Sequence, residues 1–161
     1  MKNIMYWLIG IILALALLTL GFKLLPKGQA KLGLMAGQLS PCPNTPNCVC
    51  SEDKSASAYI APFVFNDSVD SAWLRLKQAV VASGGRIETE EPAYLSASFT
   101  TKWLGFVDDV ELRIAADNDV IHVRSASRLG RSDFGVNRGR IERLRLLFNS
   151  SHSQSENTVH N

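Results

Sequence analysis

The first pattern along the chain is an unbroken apolar run near the N-terminus. Residues 4–22 contain no charged side chain, and Tyr6 and Trp7 lie at one end of the run with Lys23 at the other. A helix needs about 20 such residues to cross the hydrocarbon core of a bilayer, and aromatic and basic residues favour its interfaces. A cleaved signal peptide is the alternative, although its apolar region is usually only about 7 to 15 residues long. The pattern therefore predicts an uncleaved transmembrane anchor over residues 1–25.

Two regions rich in proline or polar residues flank the predicted folded domain. Residues 26–58 include three prolines within residues 41–46, which exclude a helix there and confine any strand to a sheet edge. We interpret residues 26–58 as a linker that ends in a Cys/Pro-rich segment. Residues 149–161 are rich in serine, asparagine and histidine, and this composition predicts a disordered tail. The domain itself is expected over residues 59–148.

Within the domain, apolar residues recur at every second position in some segments, as in strands, and at every third or fourth position in others, as in helices. The first expected elements are a short edge strand at 59–65 and a helix that runs from a cap at Asp67 or Ser68 to Gly84-Gly85. Strands at 86–90 and 94–100 follow, and then the strand pair described next. The last element is a helix at about 134–148, capped by Asp133. This order predicts the α+β class: an antiparallel sheet of about five strands with two helices packed on one face.

The strand pair is the most specific structural prediction. Apolar residues at 110, 112 and 114 alternate with charged ones, Asp117-Asn118 supplies a turn, and a second alternating run follows over residues 120–127. If the turn is centred on those two residues, the residue numbers of each cross-strand pair sum to 235. The predicted pairs are Leu112 with Val123, Ile114 with Ile121, Val110 with Ser125, Glu111 with Arg124, Arg113 with His122, and Asp108 with Ser127.

Charge is balanced overall but unevenly distributed along the chain. The 161 residues carry 17 basic and 15 acidic side chains, a net charge of +2. Residues 52–119 carry six bases against twelve acids, net −6, whereas residues 120–148 carry seven bases against two acids, net +5. No basic face is interleaved with exposed aromatic residues, so we expect no nucleic-acid partner. The length also excludes a two-domain enzyme.

The three cysteines, Cys42, Cys48 and Cys50, lie within the proline-rich segment. A structural zinc site needs about four ligands, and the histidines lie elsewhere, so no metal is expected. A disulfide between Cys42 and Cys48 would close a small loop, and Cys50 could replace Cys48 as the partner. Reduced thiols are the other possibility, because a disulfide requires an oxidising compartment.

The second chemically distinctive segment is the arginine-rich run over residues 124–140. Guanidinium groups together with backbone N–H groups at a helix start suit a carboxylate or phosphate ligand. The alternative, which we favour, is that these arginines pair with the acidic half of the domain, because half-buried arginines are more often paired than ligand-bearing. That network would include a Glu111–Arg124 pair and Asp108 accepting from Arg128, Asn137 or Arg140.

Catalysis is poorly supported by the sequence, and we assign no catalytic residue and no cofactor. His122 faces Arg113 in the predicted register rather than a carboxylate, and no Gly-x-Ser-x-Gly motif is present. Adjacent Asp108 and Asp109 point to opposite faces of one strand, so they cannot act together. The alternative is an enzyme acting on a small anionic substrate, with Asp108 or Asp133 as the base and the arginines as clamps.

Three motifs occur in order within residues 33–148. They are Leu39-Ser40-Pro41-Cys42-Pro43-x-x-Pro46-Asn47-Cys48-Val49, Phe106-Val107-Asp108-Asp109, and Val123-Arg124-Ser125-Ala126-Ser127-Arg128-x-Gly130-x-Ser132-Asp133-x-Gly135-x-Asn137-x-x-Arg140-Ile141-Glu142. Together they resemble domain-of-unknown-function family 1499. The resemblance implies a bacterial protein that often has a membrane anchor, an export signal or a lipid anchor, and it implies no established activity.

The resemblance also singles out particular residues. It marks Cys42 and Cys48 as the cysteine pair, with Cys50 standing where serine is more usual. It marks seven polar positions without assigning them a role: Asp108, Arg124, Ser127, Arg128, Asp133, Asn137 and Arg140.

Location and role follow as expectations. Lysines flank both ends of the apolar run, and their distribution slightly opposes an external C-terminus, whereas a disulfide favours one. We expect a single-pass protein of a bacterial inner membrane with its soluble domain on the periplasmic side. The expected role is non-enzymatic binding of an anionic ligand or an envelope protein through the arginine-rich segment.

Overall fold

The computed structural model describes residues 2–24, 32–102 and 105–159. Helix α1, Lys2–Leu24, is apolar along its length, and none of its candidate spanning residues is buried against the rest of the chain. By length and composition this helix can cross a membrane, and a signal sequence would meet the same description.

The rest of the described chain forms a mixed α+β domain. Its elements in chain order are β1 (Leu34–Met35), β2 (Gln38–Leu39), β3 (Cys48–Cys50), β4 (Phe63–Val64), α2 (Val69–Ala82), β5 (Arg86–Glu91), β6 (Tyr94–Thr100), β7 (Val107–Ala115), β8 (Val120–Ser127) and α3 (Val136–Val159). Strands β1 and β2 form a small two-stranded sheet. The main antiparallel sheet has six strands in the order β3-β8-β7-β6-β5, with β4 also pairing with β8.

The central hairpin confirms the predicted register. Strands β7 and β8 pair with position numbers that sum to 235 from Asp108–Ser127 to Ala115–Val120. A short 3-10 turn, Ala116–Asn118, and Asp119 in the left-handed region connect them. The alternation of apolar and charged residues fixed this register, because a shift by one residue would have turned every apolar side chain away from the core.

The main core lies between one face of the sheet and helices α2 and α3. Leu95, Leu112 and Val123 from the sheet are fully buried there with residues of both helices. Ser68 caps α2 by accepting a hydrogen bond from the Ser71 N–H, as the sequence predicted. Gly85 follows α2, where an added Cβ would lie only 2.6 Å from the ring of a core phenylalanine, so this close packing requires glycine.

The observed fold differs from the expected one in the composition of its sheet and in the bounds of its last helix. The sheet gains β3, and the strand expected at 59–65 shrinks to β4, because Pro62 has no N–H to donate. The last helix begins at Val136 rather than 134, because Phe134 has a left-handed backbone with φ of +54°. It also continues past residue 148 to Val159, where we expected a tail, since each added residue of an established helix gains one backbone hydrogen bond.

Candidate functional site

The seven predicted polar positions do not form one site. Asp108, Ser127, Asn137 and Arg140 meet on the helix-covered side of the sheet, whereas Arg124 and Arg128 lie on the opposite side, and Asp133 lies in the loop before α3. The two groups flank the end of β8. We call the group on the helix side the Asn137 network and the group on the other side the Glu111 face.

Asn137 is the centre of the first group and is fully buried. Its side-chain NH2 donates to the Asn47 carbonyl and to Ser127 Oγ, each at 2.9 Å. Its side-chain oxygen accepts from Ser125 Oγ at 2.6 Å and from the Arg140 guanidinium at 2.6 Å. All four side-chain hydrogen-bonding positions of this amide are therefore used, as burial of a polar group requires.

Arg140 links this network to Asp108. Its guanidinium is ion-paired with the Asp108 carboxylate and lies over the Phe99 ring, 4.9 Å from the ring centroid. Asp108 is only 4% exposed, and the Arg140 guanidinium is the cationic group that lies against its carboxylate. Of the three expected donors to Asp108, the hydrogen bonds of the described residues include only Arg140. Arg128, one of the three alternatives, points to the other face of the sheet and binds Asp109 there.

On the Glu111 face, Arg128 binds Asp109 through two hydrogen bonds of 2.8 Å. These bonds raise the pKa of Arg128 above its ordinary value, so the guanidinium stays charged. Beside it, Arg124 donates to Glu111 at 2.8 Å, which confirms the predicted cross-strand pair. Both arginines are therefore engaged by carboxylates rather than open to a ligand.

Glu111 also holds the segment that enters the domain. Its Oε1 accepts hydrogen bonds of 2.8 Å from the Tyr94 hydroxyl and from the Gly33 N–H. Burial and the contact with Glu111 raise the pKa of Tyr94 well above its usual range. Within the described residues, Ser96 Oγ and Arg124 Nε on this face are buried without a hydrogen-bond partner. The carboxylate thus binds Gly33, just before β1, to the middle of the sheet.

Asp133 shapes the loop between β8 and α3. Its carboxylate accepts from the Gly135 N–H at 3.0 Å and from the Asn137 N–H at 2.7 Å, and so it caps the start of the helix. Asn47 adds a third tie by donating to the Gly130 carbonyl at 2.7 Å. Between these ties Phe134 stands 97% exposed. A bulky residue with positive φ is a conformational outlier, so the surrounding bonds hold this side chain outward.

Cys42 and Cys48 form a disulfide, and their loop borders the start of α3. The cleft between them has a volume of about 460 Å³ and includes Asp133 and Arg138 in its lining. Cys50 is a buried free thiol, and burial raises its pKa, which makes it less reactive. The pairing implied by the family resemblance is thus the one observed.

His122 has a more polar environment than the sequence indicated. Its Nδ1 lies 3.1 Å from Ser51 Oγ, and its Nε2 lies 3.9 Å from Glu52 Oε1, so a carboxylate is close after all. Glu52 is already bound by Arg113, and Ser51 Oγ accepts the Val123 N–H. Burial is the main cause that lowers the pKa of His122. These contacts resemble a Ser-His-acid set in composition only, because 3.9 Å is too long for a hydrogen bond.

Sequence reasoning missed Asn47, Asp109 and the role of Gly33. The alternation of side chains could have placed Arg128 on the face of Asp109. Arg128 follows Arg124 at an even spacing, and Arg124 was expected to face Glu111, which lies on the same side of β7 as Asp109. Asn47 lies in the first motif, but nothing in the sequence pointed to its contact with Asn137, which lies 90 residues away. Across residues 2–24, 32–102 and 105–159, no group of three His, Cys, Asp or Glu side chains is arranged to hold a metal ion.

Comparison with models of known protein families identifies the family of this chain. The model of a family described as "Protein of unknown function (DUF1499)" matches residues 38–148, more than half of the chain. No curated protein matches the chain.

Proposed function

The chain belongs to the family of proteins of unknown function DUF1499, and we propose that it is a membrane-tethered, extracytoplasmic binding module without catalytic activity. Its contact surface is the loop at residues 128–136, whose charged neighbours form a rigid support. The partner is a component of the bacterial envelope with anionic character. Exposed Phe134, held outward at 97% exposure, is the observation that carries this proposal.

The tether and the compartment are supported by two features of the chain. Helix α1 is long and apolar enough to span a membrane. The Cys42–Cys48 disulfide fits an oxidising compartment such as the periplasm, since cytosolic disulfides are rare. Together they favour a single-pass protein of the inner membrane with the domain outside the cytoplasm.

The pairing of the arginines favours binding of a partner surface over a small anion held by guanidinium clamps. Arg124, Arg128 and Arg140 each bind a buried carboxylate, so their charges are already compensated. Arg131 differs, because it is exposed and makes no hydrogen bond or ion pair with the described residues. The exposed cation and the exposed aromatic ring lie only three positions apart in the same loop.

The same contacts disfavour the enzyme alternative. The Asp108 carboxylate is buried against Arg140, and the Asp133 carboxylate accepts two backbone N–H groups. A general base must reach a substrate proton, whereas Asp108 is buried and each Asp133 oxygen already accepts a backbone N–H. We therefore treat both aspartates as supports of the loop.

Photo-crosslinking in intact cells tests the contact surface. A benzoylphenylalanine at position 134 keeps an aromatic ring where Phe134 is exposed, and the same residue at the exposed position of Leu146 on α3 is the matched control. We expect an adduct with an envelope component from position 134 and none from position 146. Equal adducts at both positions, or none at either, would refute the proposed surface.

Thiol labelling tests the compartment separately. A membrane-impermeant maleimide should gain access to Cys42 and Cys48 in cells whose outer membrane has been permeabilised, but only after mild reduction. Labelling that appears only after lysis, and without a reductant, would place the domain in the cytoplasm and remove the compartment from the proposal.

A further inference from the structure

We propose that the loop at residues 128–136 rests on the anionic headgroup layer of the membrane that holds α1, so that the domain makes a second, reversible contact with the bilayer. This inference depends on the proposed tether and names the partner of the proposed surface. Phe134 and Leu129 enter the interface between headgroups and acyl chains, and Arg131 lies against lipid phosphates.

The apolar part of the contact is concentrated in one short stretch. Leu129, Phe134 and Val136 are 42%, 97% and 50% exposed, although each would be expected to seek burial. Apolar side chains of this kind gain free energy by entering the interfacial region of a bilayer, roughly in proportion to the apolar area that is buried. Three exposed apolar side chains within eight residues therefore favour contact with an apolar or amphipathic surface.

Two cationic side chains lie near these exposed apolar residues, at the same end of the sheet. Arg131 lies in the loop itself, and exposed Lys102 lies in the neighbouring turn between β6 and β7. The two connections are adjacent, because the Arg128 N–H donates to the Val107 carbonyl at 3.1 Å. Asp133, the acid of the loop, is directed toward backbone N–H groups instead. Basic side chains next to exposed apolar side chains are suited to contact with the surface of an anionic membrane.

The loop is held at both ends by hydrogen bonds to neighbouring residues. Asn47 and Asp133 hold its two ends, at Gly130 and at Asn137, through hydrogen bonds of 2.7 Å. A preorganised loop loses little conformational entropy when it binds, so a weak surface contact becomes effective.

The tether is long enough for this contact. Residues 25–32 join α1 to Gly33, and eight residues span at most about 28 Å. Gly33 is bound to Glu111 in the middle of β7, and the loop lies beyond Val107, about 13 Å further along that strand. The anchor therefore keeps the loop within reach of the bilayer at a high effective concentration.

Depth-dependent quenching in vesicles tests the contact with the full-length protein. A Phe134→Cys variant carries an environment-sensitive dye and is reconstituted in vesicles of phosphatidylglycerol or of phosphatidylcholine that contain a nitroxide lipid. Leu146→Cys is the matched control on the domain, and Leu13→Cys reports insertion of α1, since both side chains are well exposed. We expect quenching at position 134 in phosphatidylglycerol, weaker quenching there in phosphatidylcholine, and none at position 146.

The outcomes separate the two proposals. Quenching at position 13 without quenching at position 134 overturns the lipid contact and leaves the tether standing, so that any crosslinked partner is a protein. No quenching at position 13 overturns the tether and this inference with it. Equal quenching at 134 in both lipids overturns the requirement for anionic headgroups.

A pair of arginine variants tests the charge directly. Arg131→Gln should lower the ratio of contacting to detached domains by about fivefold, as expected for one cation near an anionic surface. Arg143→Gln removes an exposed arginine of α3 that also makes no hydrogen bond or ion pair with the described residues, and it should leave the ratio unchanged. The same response in both variants would overturn the role of Arg131.

Discussion

Replacing Asn137 by alanine should destabilise the domain strongly, because its buried amide joins β8, α3 and the segment before β3. The substitution removes four side-chain hydrogen bonds. Some of its partners keep other bonds: the Asn47 carbonyl still accepts from the Ser127 N–H, and the Ser125 hydroxyl still contacts Arg140. Ser127 Oγ loses its amide donor, and a space the size of the amide remains. An unpaired buried group costs about 1–3 kcal/mol, so we expect a total loss of about 3 kcal/mol.

Thermal unfolding of the full-length protein in detergent, followed by near-ultraviolet circular dichroism, measures this effect. For a domain of this size a loss of about 3 kcal/mol lowers Tm by about 12 °C. Asn149→Ala is the matched control, since Asn149 is exposed on the same helix and the intrinsic change in helix propensity is similar. Its Tm should stay within about 2 °C of the wild type, as is usual for an exposed site. If Asn137→Ala also stays within that limit, the Asn137 network does not hold the domain together.

Two further predictions concern the other face of the sheet. Arg128→Leu should lower Tm by several degrees, because it leaves the 3% exposed carboxylate of Asp109 without its partner. Arg131→Leu should not, because Arg131 is exposed and has no ion pair within the part of the chain that the structure describes. Equal melting temperatures for both variants would contradict the buried-network account. Burial lowers the pKa of His122 below its ordinary value in the folded state, so the unfolded chain binds more protons and stability should fall as the pH drops below about 6.5. His122→Gln should flatten that part of the curve of stability against pH, and an unchanged curve would show that His122 is not responsible.

The hairpin of β7 and β8 could be derived from the sequence because its information is local. Alternating side chains fix which face is buried, and a short turn fixes the pairing, so residues such as Leu112 and Val123 find each other without help from the rest of the chain. Strand β3 could not be derived in the same way. Its three residues follow a proline-rich loop, and their strand character comes from pairing with β8 rather than from their own pattern.

The candidate site was only half predictable for the same reason. The sequence identified which side chains are polar and adjacent in the motif, but Arg124 and Arg128 were grouped with Asp108 although they lie on the other face of the sheet. The decisive contacts join Gly33 to Glu111 and Asn47 to Asn137, across 78 and 90 residues. Contacts at such separations depend on the whole fold and leave no local pattern.

The two networks engage Arg124, Arg128 and Arg140 with carboxylates, so most of the charge next to the proposed contact surface is already paired. Arg128 ties the start of the loop to β7 on one face of the sheet, and Asn137 ties its end to β8 and to the segment before β3 on the other. A loop clamped from both faces can hold Phe134 in a strained, outward conformation that a free loop would relax. The buried charges therefore act on the surface indirectly, by fixing the geometry of the residues that remain exposed.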